Sequence, residues 1–239
     1  MTTLEVCVDT IDGVLAAKHG GAARVELCAS LSEGGLTPSV GLMKFAAVSG
    51  IPCFAMIRPR SGLFHFSEME ENIMLADIEA AKDADLAGVV LGAQGHDGSL
   101  NVALLARLVH AAGDMGKTLH RVIDFVPDTL LAVDQAIALG FDRILTSGAQ
   151  PEACDGVDMI AQMVARAKGR LSIMPGCGLT PANVANIVKK TGVHEVHASC
   201  SMLVPKALAF SDFNPPNGLM MTSEAEISMF AKELQAPDG

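Results

Sequence analysis

The chain has 239 residues and a formal net charge of −10, with 50% hydrophobic and 18% charged residues. That composition marks a globular chain rather than a disordered one, and its acidic balance offers no basic face to a nucleic-acid backbone or a membrane surface. No apolar run approaches the ~18 residues of a membrane span, and the opening Met1–Val6 reads as a strand rather than a signal peptide, so the expected compartment is the cytoplasm.

Taken in order, Leu4–Val8 alternates as a strand, and Ile11–His19 reads as a helix closed by Gly20 and Gly21. Arg24–Cys28 is a second strand, followed by the loop Glu33–Ser39 and a helix over Val40–Val48. Cys53–Ile57 is a third strand, running into Arg58-Pro59-Arg60 and the long helix Glu68–Asp83. Gly88–Leu91 precedes a glycine-rich loop and the helix Val102–Ala112. A fifth strand from Lys117 runs directly into His120, Arg121 and Asp124, ahead of the helix Thr129–Leu139. Asp142–Thr146 leads through Ser147 and Gly148 to the helix Val157–Lys168. Leu171–Met174 leads into Pro175-Gly176-Cys177-Gly178, where Thr180 is expected to cap a helix with Pro181 in its first turn and Gly192 past its end. His194–His197 is an eighth strand, followed by an apolar loop Ala198–Met221 and a helix Ser223–Leu234 with a capping box on Ser223 and Glu226.

Strand and helix thus alternate eight times, with a period of roughly 20–35 residues. One (β/α)8 TIM barrel spanning residues 1–239 as a single domain fits this α/β pattern, since ~250 residues is its usual size. A doubly wound Rossmann sheet fits less well, because no GxGxxG follows any strand.

In a barrel, apolar residues face the helices and alternate residues face inward. With Leu4, Val6 and Val8 outward, Glu5 and Cys7 point in. The same alternation turns Arg24, Glu26 and Cys28 inward, then His120, then Glu195, His197 and Ser199. Charge buried without partners is costly, so these groups suggest a site at the carboxyl ends of the strands, where Glu5, Glu26 and His120 are candidates for proton transfer. The plainer reading is a set of ion pairs joining Glu5 or Glu26 to Arg58 or Arg60. The same two arginines could clamp an anion, with Arg121, Asp124, Ser147 and Gly148 nearby. Gly176 and Gly178, with His197 and Ser199, lie after strands seven and eight, where barrel enzymes often hold phosphate; an ordinary tight turn would look the same.

The six cysteines form no CxxC and no zinc-finger spacing, and are expected to be reduced. Cys7 and Cys28 end adjacent strands, which run ~4.8 Å apart. Two thiols so placed could share Cu(I), with Met174, Cys177 or His197 as further ligands, although a single buried Cys more often acts as a small hydrophobe. His19, His96 and His110 read as surface residues.

The ordered set Glu5-Val-Cys7, Arg24-Val-Glu26-Leu-Cys28, Glu33-Gly-Gly-Leu-Thr-Pro-Ser39, Ile57-Arg-Pro-Arg60, His120-Arg-Val-Ile-Asp124, Ile144-Leu-Thr-Ser-Gly148 and Met174-Pro-Gly-Cys-Gly178 resembles the CutC family of copper homeostasis proteins, in register over residues 4–201. Leu63 stands where that family's arginine loop carries Asp, and Cys177 and Cys200 are additional thiols. The resemblance implies a cytoplasmic TIM barrel, often a homo-oligomer, that handles copper through cysteines matching Cys7 and Cys28. The alternative is an enzyme acting by general acid/base chemistry on a small anionic or phosphorylated metabolite. A third possibility is a scaffold that self-associates through the apolar stretch Leu203–Met221.

Overall fold

The computed structural model describes residues 2–204 and 218–235. Its elements follow the expected alternation: β1 (Thr3–Val8), α1 (Ile11–Gly20), β2 (Arg24–Leu27), α2 (Val40–Ala47), β3 (Cys53–Met56), α3 (Glu68–Asp83), β4 (Gly88–Leu91), α4 (Val102–Ala112), β5 (Gly116–Leu119), α5 (Thr129–Leu139), β6 (Arg143–Thr146), α6 (Val157–Ala167), β7 (Ser172–Pro175), α7 (Val184–Thr191) and β8 (Glu195–Ala198). A short hairpin, β9 (Ser201–Val204) paired antiparallel with β10 (Leu219–Thr222), precedes α8 (Glu224–Gln235). The expected apolar loop Ala198–Met221 is thus part hairpin, and its residues 205–217 lie outside the described residues.

All eight barrel strands are parallel, in the order β8-β1-β2-β3-β4-β5-β6-β7. The result is a nearly closed (β/α)8 barrel. Alternation decides which side chains feed which core. Leu4, Val6, Val8, Val25, Leu27 and Val89 face outward and pack with helix residues such as Val14, Met43 and Ile78. Inside, Cys28, Phe54, Met56 and Val90 form a separate small cluster.

Helix starts are set by side-chain caps on Thr10, Ser39, Asn101 and Asp128, and by a complete capping box between Ser67 and Glu70. Thr180 does not cap α7 as expected. Its N–H is taken by the Asn183 side chain at 2.8 Å, and Asn183 also donates to the Gly178 carbonyl. That closes a separate turn, and the helix begins at Val184. At α8, Ser223 Oγ accepts from the Glu226 N–H at 3.3 Å, one half of the expected capping box.

The amino-terminal end of the barrel is closed by charge. Arg24, Arg143 and Glu195 open β2, β6 and β8, and Glu195 accepts from Arg24 at 2.9 Å and Arg143 at 3.2 Å. Both guanidinium groups lie over the Phe54 ring, 5.9 Å and 4.9 Å from its centroid. That ring fits because β4 and β5 open with glycine: a Cβ at Gly88 or Gly116 would stand 2.2 or 2.6 Å from a ring carbon. This floor separates the structural charges of the interior from those of the mouth.

Candidate functional site at the barrel mouth

A cavity of about 380 Å³ opens beyond the carboxyl ends of the strands. Register explains its contents. Across β1 and β2, Cys7 stands opposite Glu26; across β1 and β8, Glu5 stands opposite His197. Cys7, Glu26 and His197 all line the cavity, and one ligand atom from each lies within 4.8 Å of the other two. Among the described residues they are the one such His/Cys/Asp/Glu group.

Glu5 sits beneath them, fully buried, paired with Arg24 and 2.8 Å from His197 Nδ1. Burial alone would raise its pKa, but the hydrogen bond with His197 and the Arg24 charge bring it down to about 2. Glu5 therefore stays a carboxylate and orients the His197 ring. It does not line the cavity. Glu26 is the opposite case: burial raises its pKa, outweighing the nearby His197 charge. Burial would also lower the His197 pKa, yet Cys7 and Glu26 hold it well above its ordinary value.

Cys28 follows the end of β2 and is fully buried beside Glu26, its Sγ 3.7 Å from Glu26 Oε2. Burial and the Glu26 charge push its thiol well upward. It packs with Phe54, Met56 and Val90 rather than lining the cavity. Cross-strand pairing thus sets Cys7 opposite Glu26, with Cys28 two residues further on, just past the end of β2.

His120 follows β5 and lines the cavity. Its Nδ1 accepts the Val122 N–H at 3.1 Å, capping the 3-10 turn Arg121–Phe125. Burial, aided by the Arg58 charge, lowers its pKa to about 3. The ring is therefore neutral and carries its proton on Nε2. It occupies space that only glycine leaves open, since a Cβ at Gly92 would lie 2.1 Å from a ring carbon.

The two arginines of the third loop separate. Arg58 is buried and lines the cavity, its terminal nitrogens fixed on the carbonyls of Glu33, Gly35 and Gly62. Arg60 turns away, onto Glu70 and the carbonyls of Leu63 and His65. Neither forms the expected pair with Glu5 or Glu26; Arg24 takes that role for Glu5. Arg121 lines the cavity while held by Asp124 at 2.9 Å and Ser147 Oγ at 2.7 Å. Asp124 is consumed internally, accepting from Thr146 Oγ1, from the N–H groups of Ser147 and Ala149, and from Ser147 Oγ. Ser147, Gly148 and Gly176 do not line the cavity: Gly148 donates to Thr146 Oγ1 and Gly176 to the Thr146 carbonyl. Gly178, Ser199 and Cys177 do line it.

Sequence reading did not identify the apolar wall supplied by Leu31, Met56, Phe64, Leu145 and Leu179. Leu31 opens a short 3-10 turn and Phe64 lies on a loop, neither with a periodicity to betray its direction. Nor did it single out His197 as the hub of the mouth. Its inward direction was readable, but its pairing with Glu5 depends on β8 closing against β1.

The CutC family model matches residues 2–202 of this chain. A CutC family protein of Sinorhizobium medicae is 49% identical over 202 residues, covering 84% of this chain and 82% of the relative. One from Agrobacterium fabrum is 51% identical over 198 residues, covering 83% and 79%. The crystal structure of a putative copper homeostasis protein CutC from Streptococcus agalactiae aligns with a TM-score of 0.80 at 32% identity, over 83% of this chain and 99% of that one. A thiamine phosphate pyrophosphorylase from Pyrococcus furiosus, at 16% identity and a TM-score of 0.63, shares the fold alone. With its barrel, its inward charges and this match to the family model, the chain belongs to the CutC family.

Proposed function

We propose that the barrel mouth is a Cu(I) site serving copper homeostasis, with Cys7 Sγ and His197 Nε2 as its first two ligands. The carrying observation is the grouping of Cys7, Glu26 and His197 ligand atoms within 4.8 Å. Thiolate and imidazole suit Cu(I), and carboxylate does not, so Glu26 is a neighbour of the ion rather than a ligand. Cys28 is the second thiol, joining when it leaves Glu26. The copper named for the Streptococcus agalactiae relative agrees with this reading. Binding requires deprotonated ligands, so the affinity should rise with pH as His197 gives up its proton.

The test is an anaerobic competition titration of the reduced protein against a Cu(I) chelator. We expect stoichiometric binding that Cys7→Ser abolishes, Cys28→Ser weakens, and the exposed Cys154→Ser leaves unchanged. Weak binding, or binding that Cys7→Ser retains, rejects the site.

A second reading is an enzyme that does acid/base chemistry on a small anionic metabolite. It is favoured by Glu26, a carboxyl raised by burial in a cavity that Arg58 and Arg121 also line. Glu26 would move the proton, neutral His120 would donate a hydrogen bond, and Glu5 would position His197. Such an enzyme melts higher with its ligand bound. A panel of phosphorylated and carboxylated metabolites that leaves the melting temperature unmoved removes this reading.

A further inference from the structure

Among the described residues, four buried side-chain nitrogen or oxygen atoms have no hydrogen-bond partner: Glu26 Oε1, Arg58 Nε, His120 Nε2 and His65 Nε2. Three of the four belong to residues lining the one mouth cavity. A buried polar atom left unpaired is costly, and native proteins keep few of them. Three around one cavity mark the places where a ligand supplies the missing partners.

The surrounding bonds fix what each atom offers. His120 Nδ1 accepts from the Val122 N–H, so the neutral ring can only donate through Nε2. Arg58 commits both terminal nitrogens to the carbonyls of Glu33, Gly35 and Gly62, which leaves Nε–H as its free donor. Glu26 Oε2 is engaged with Cys28 and His197, which leaves Oε1 as an acceptor. Each of the three atoms is buried, in a residue that lines the cavity. The terminal torsions of Glu and His are soft, so small turns present these two groups to a ligand.

We infer that the cavity binds a small α-hydroxycarboxylate, its carboxylate oxygens accepting from Arg58 and His120 and its hydroxyl donating to Glu26. Arg58 and Phe64 support the choice. The guanidinium lies 5.1 Å from the Phe64 centroid, and the same ring is 4.7 Å from that of His120, so the cation and the neutral donor share one wall. A carboxylate suits that wall of donors, whereas Glu26 Oε1, an acceptor with no partner, suits the hydrogen of a hydroxyl. About 380 Å³ lies at the small end of ligand pockets, roughly 300–1,000 Å³. The inference rests on the second reading above and needs no copper.

The test uses the full-length, reduced, copper-free protein and three probes in calorimetric titration: D-glycerate, propionate and inorganic phosphate. We expect D-glycerate to bind at least tenfold more tightly than propionate, the same acid without its C2 and C3 hydroxyls. Glu26→Met, which removes the acceptor, should weaken glycerate binding on the order of tenfold, as loss of a hydrogen bond does. His120→Asn, which keeps an acceptor for the Val122 N–H, should weaken it likewise. Melting curves of both variants confirm that they fold. Equal binding of glycerate and propionate, or glycerate binding that both variants retain, overturns the hydroxycarboxylate assignment. Binding of phosphate alone overturns it too while leaving the anionic-ligand reading standing. Binding of none of the three rejects this inference, and the wider metabolite panel then decides the reading beneath it.

Discussion

Arg24 is the residue on which the barrel interior turns. It pairs with buried Glu5, bonds Glu195, donates to Met174 Sδ at 3.0 Å and covers Phe54. Through Glu5 it also holds His197, and so the mouth rests on the floor. Removing one partner of a buried ion pair typically costs about 3–5 kcal/mol, because the remaining charge is stranded. We expect Arg24→Met to lose stability in that range, with two carboxylates left short of a cation. Arg24→Lys should lose less, since it keeps the charge but not the planar fork. The chain has neither Trp nor Tyr, so urea unfolding is followed by far-ultraviolet circular dichroism. A loss below about 1 kcal/mol in Arg24→Met would show that the floor is not held by this pair.

The elements meet tightly where β4 and β5 pass Phe54 on β3. Gly88→Ala places a methyl group 2.2 Å from a ring carbon, and overpacking of this kind costs about 1–3 kcal/mol. Phe54→Leu should recover part of that loss, since the smaller side chain vacates the clash; a double variant no more stable than Gly88→Ala would contradict the packing account. At this scale the sequence was highly legible. Period-2 apolar runs between period-3.6 segments placed every barrel strand and helix, and alternation along β1, β2 and β8 correctly turned Glu5, Glu26 and His197 inward. What alternation does not give is height along the barrel axis. Arg24 and Glu195 share an inward face with Glu26 and His197, yet the first two belong to the floor and the second two to the mouth. Arg60 was misplaced because its partner, Glu70, lies on the following helix. Asp124 was misplaced because the 3-10 turn after β5 folds it onto the end of β6. Such contacts follow from strand register and loop path, which residue patterns leave open.

For the whole molecule, the buried titratable groups give stability a dependence on pH that separates their roles. His120 has its folded pKa depressed from 6.5 to about 3. Between those values the unfolded chain takes up a proton that the folded chain refuses, so its contribution is complete above pH 6.5 and falls as pH falls. At about 1.4 kcal/mol per pKa unit, the loss reaches about 2 kcal/mol by pH 5. Glu5 is depressed from 4.5 to about 2, so its contribution is present above pH 4.5 and drains away only below it. His197 is raised above 6.5; its contribution is complete below that pH and is lost as pH climbs through the folded value. Glu26, also raised, stabilises the fold as pH falls and partly hides the His120 effect in the wild type. The informative quantity is therefore a difference between two proteins. His120→Asn keeps the cap on Val122 and cannot titrate, so its stability should fall less than the wild type's from pH 7 to pH 5, by about 2 kcal/mol, while the steeper loss below pH 4.5 persists. Urea unfolding at half-unit pH steps measures this directly. Parallel curves for the two proteins between pH 7 and pH 5 would mean that His120 titrates normally in the folded chain and that burial does not hold its ring neutral.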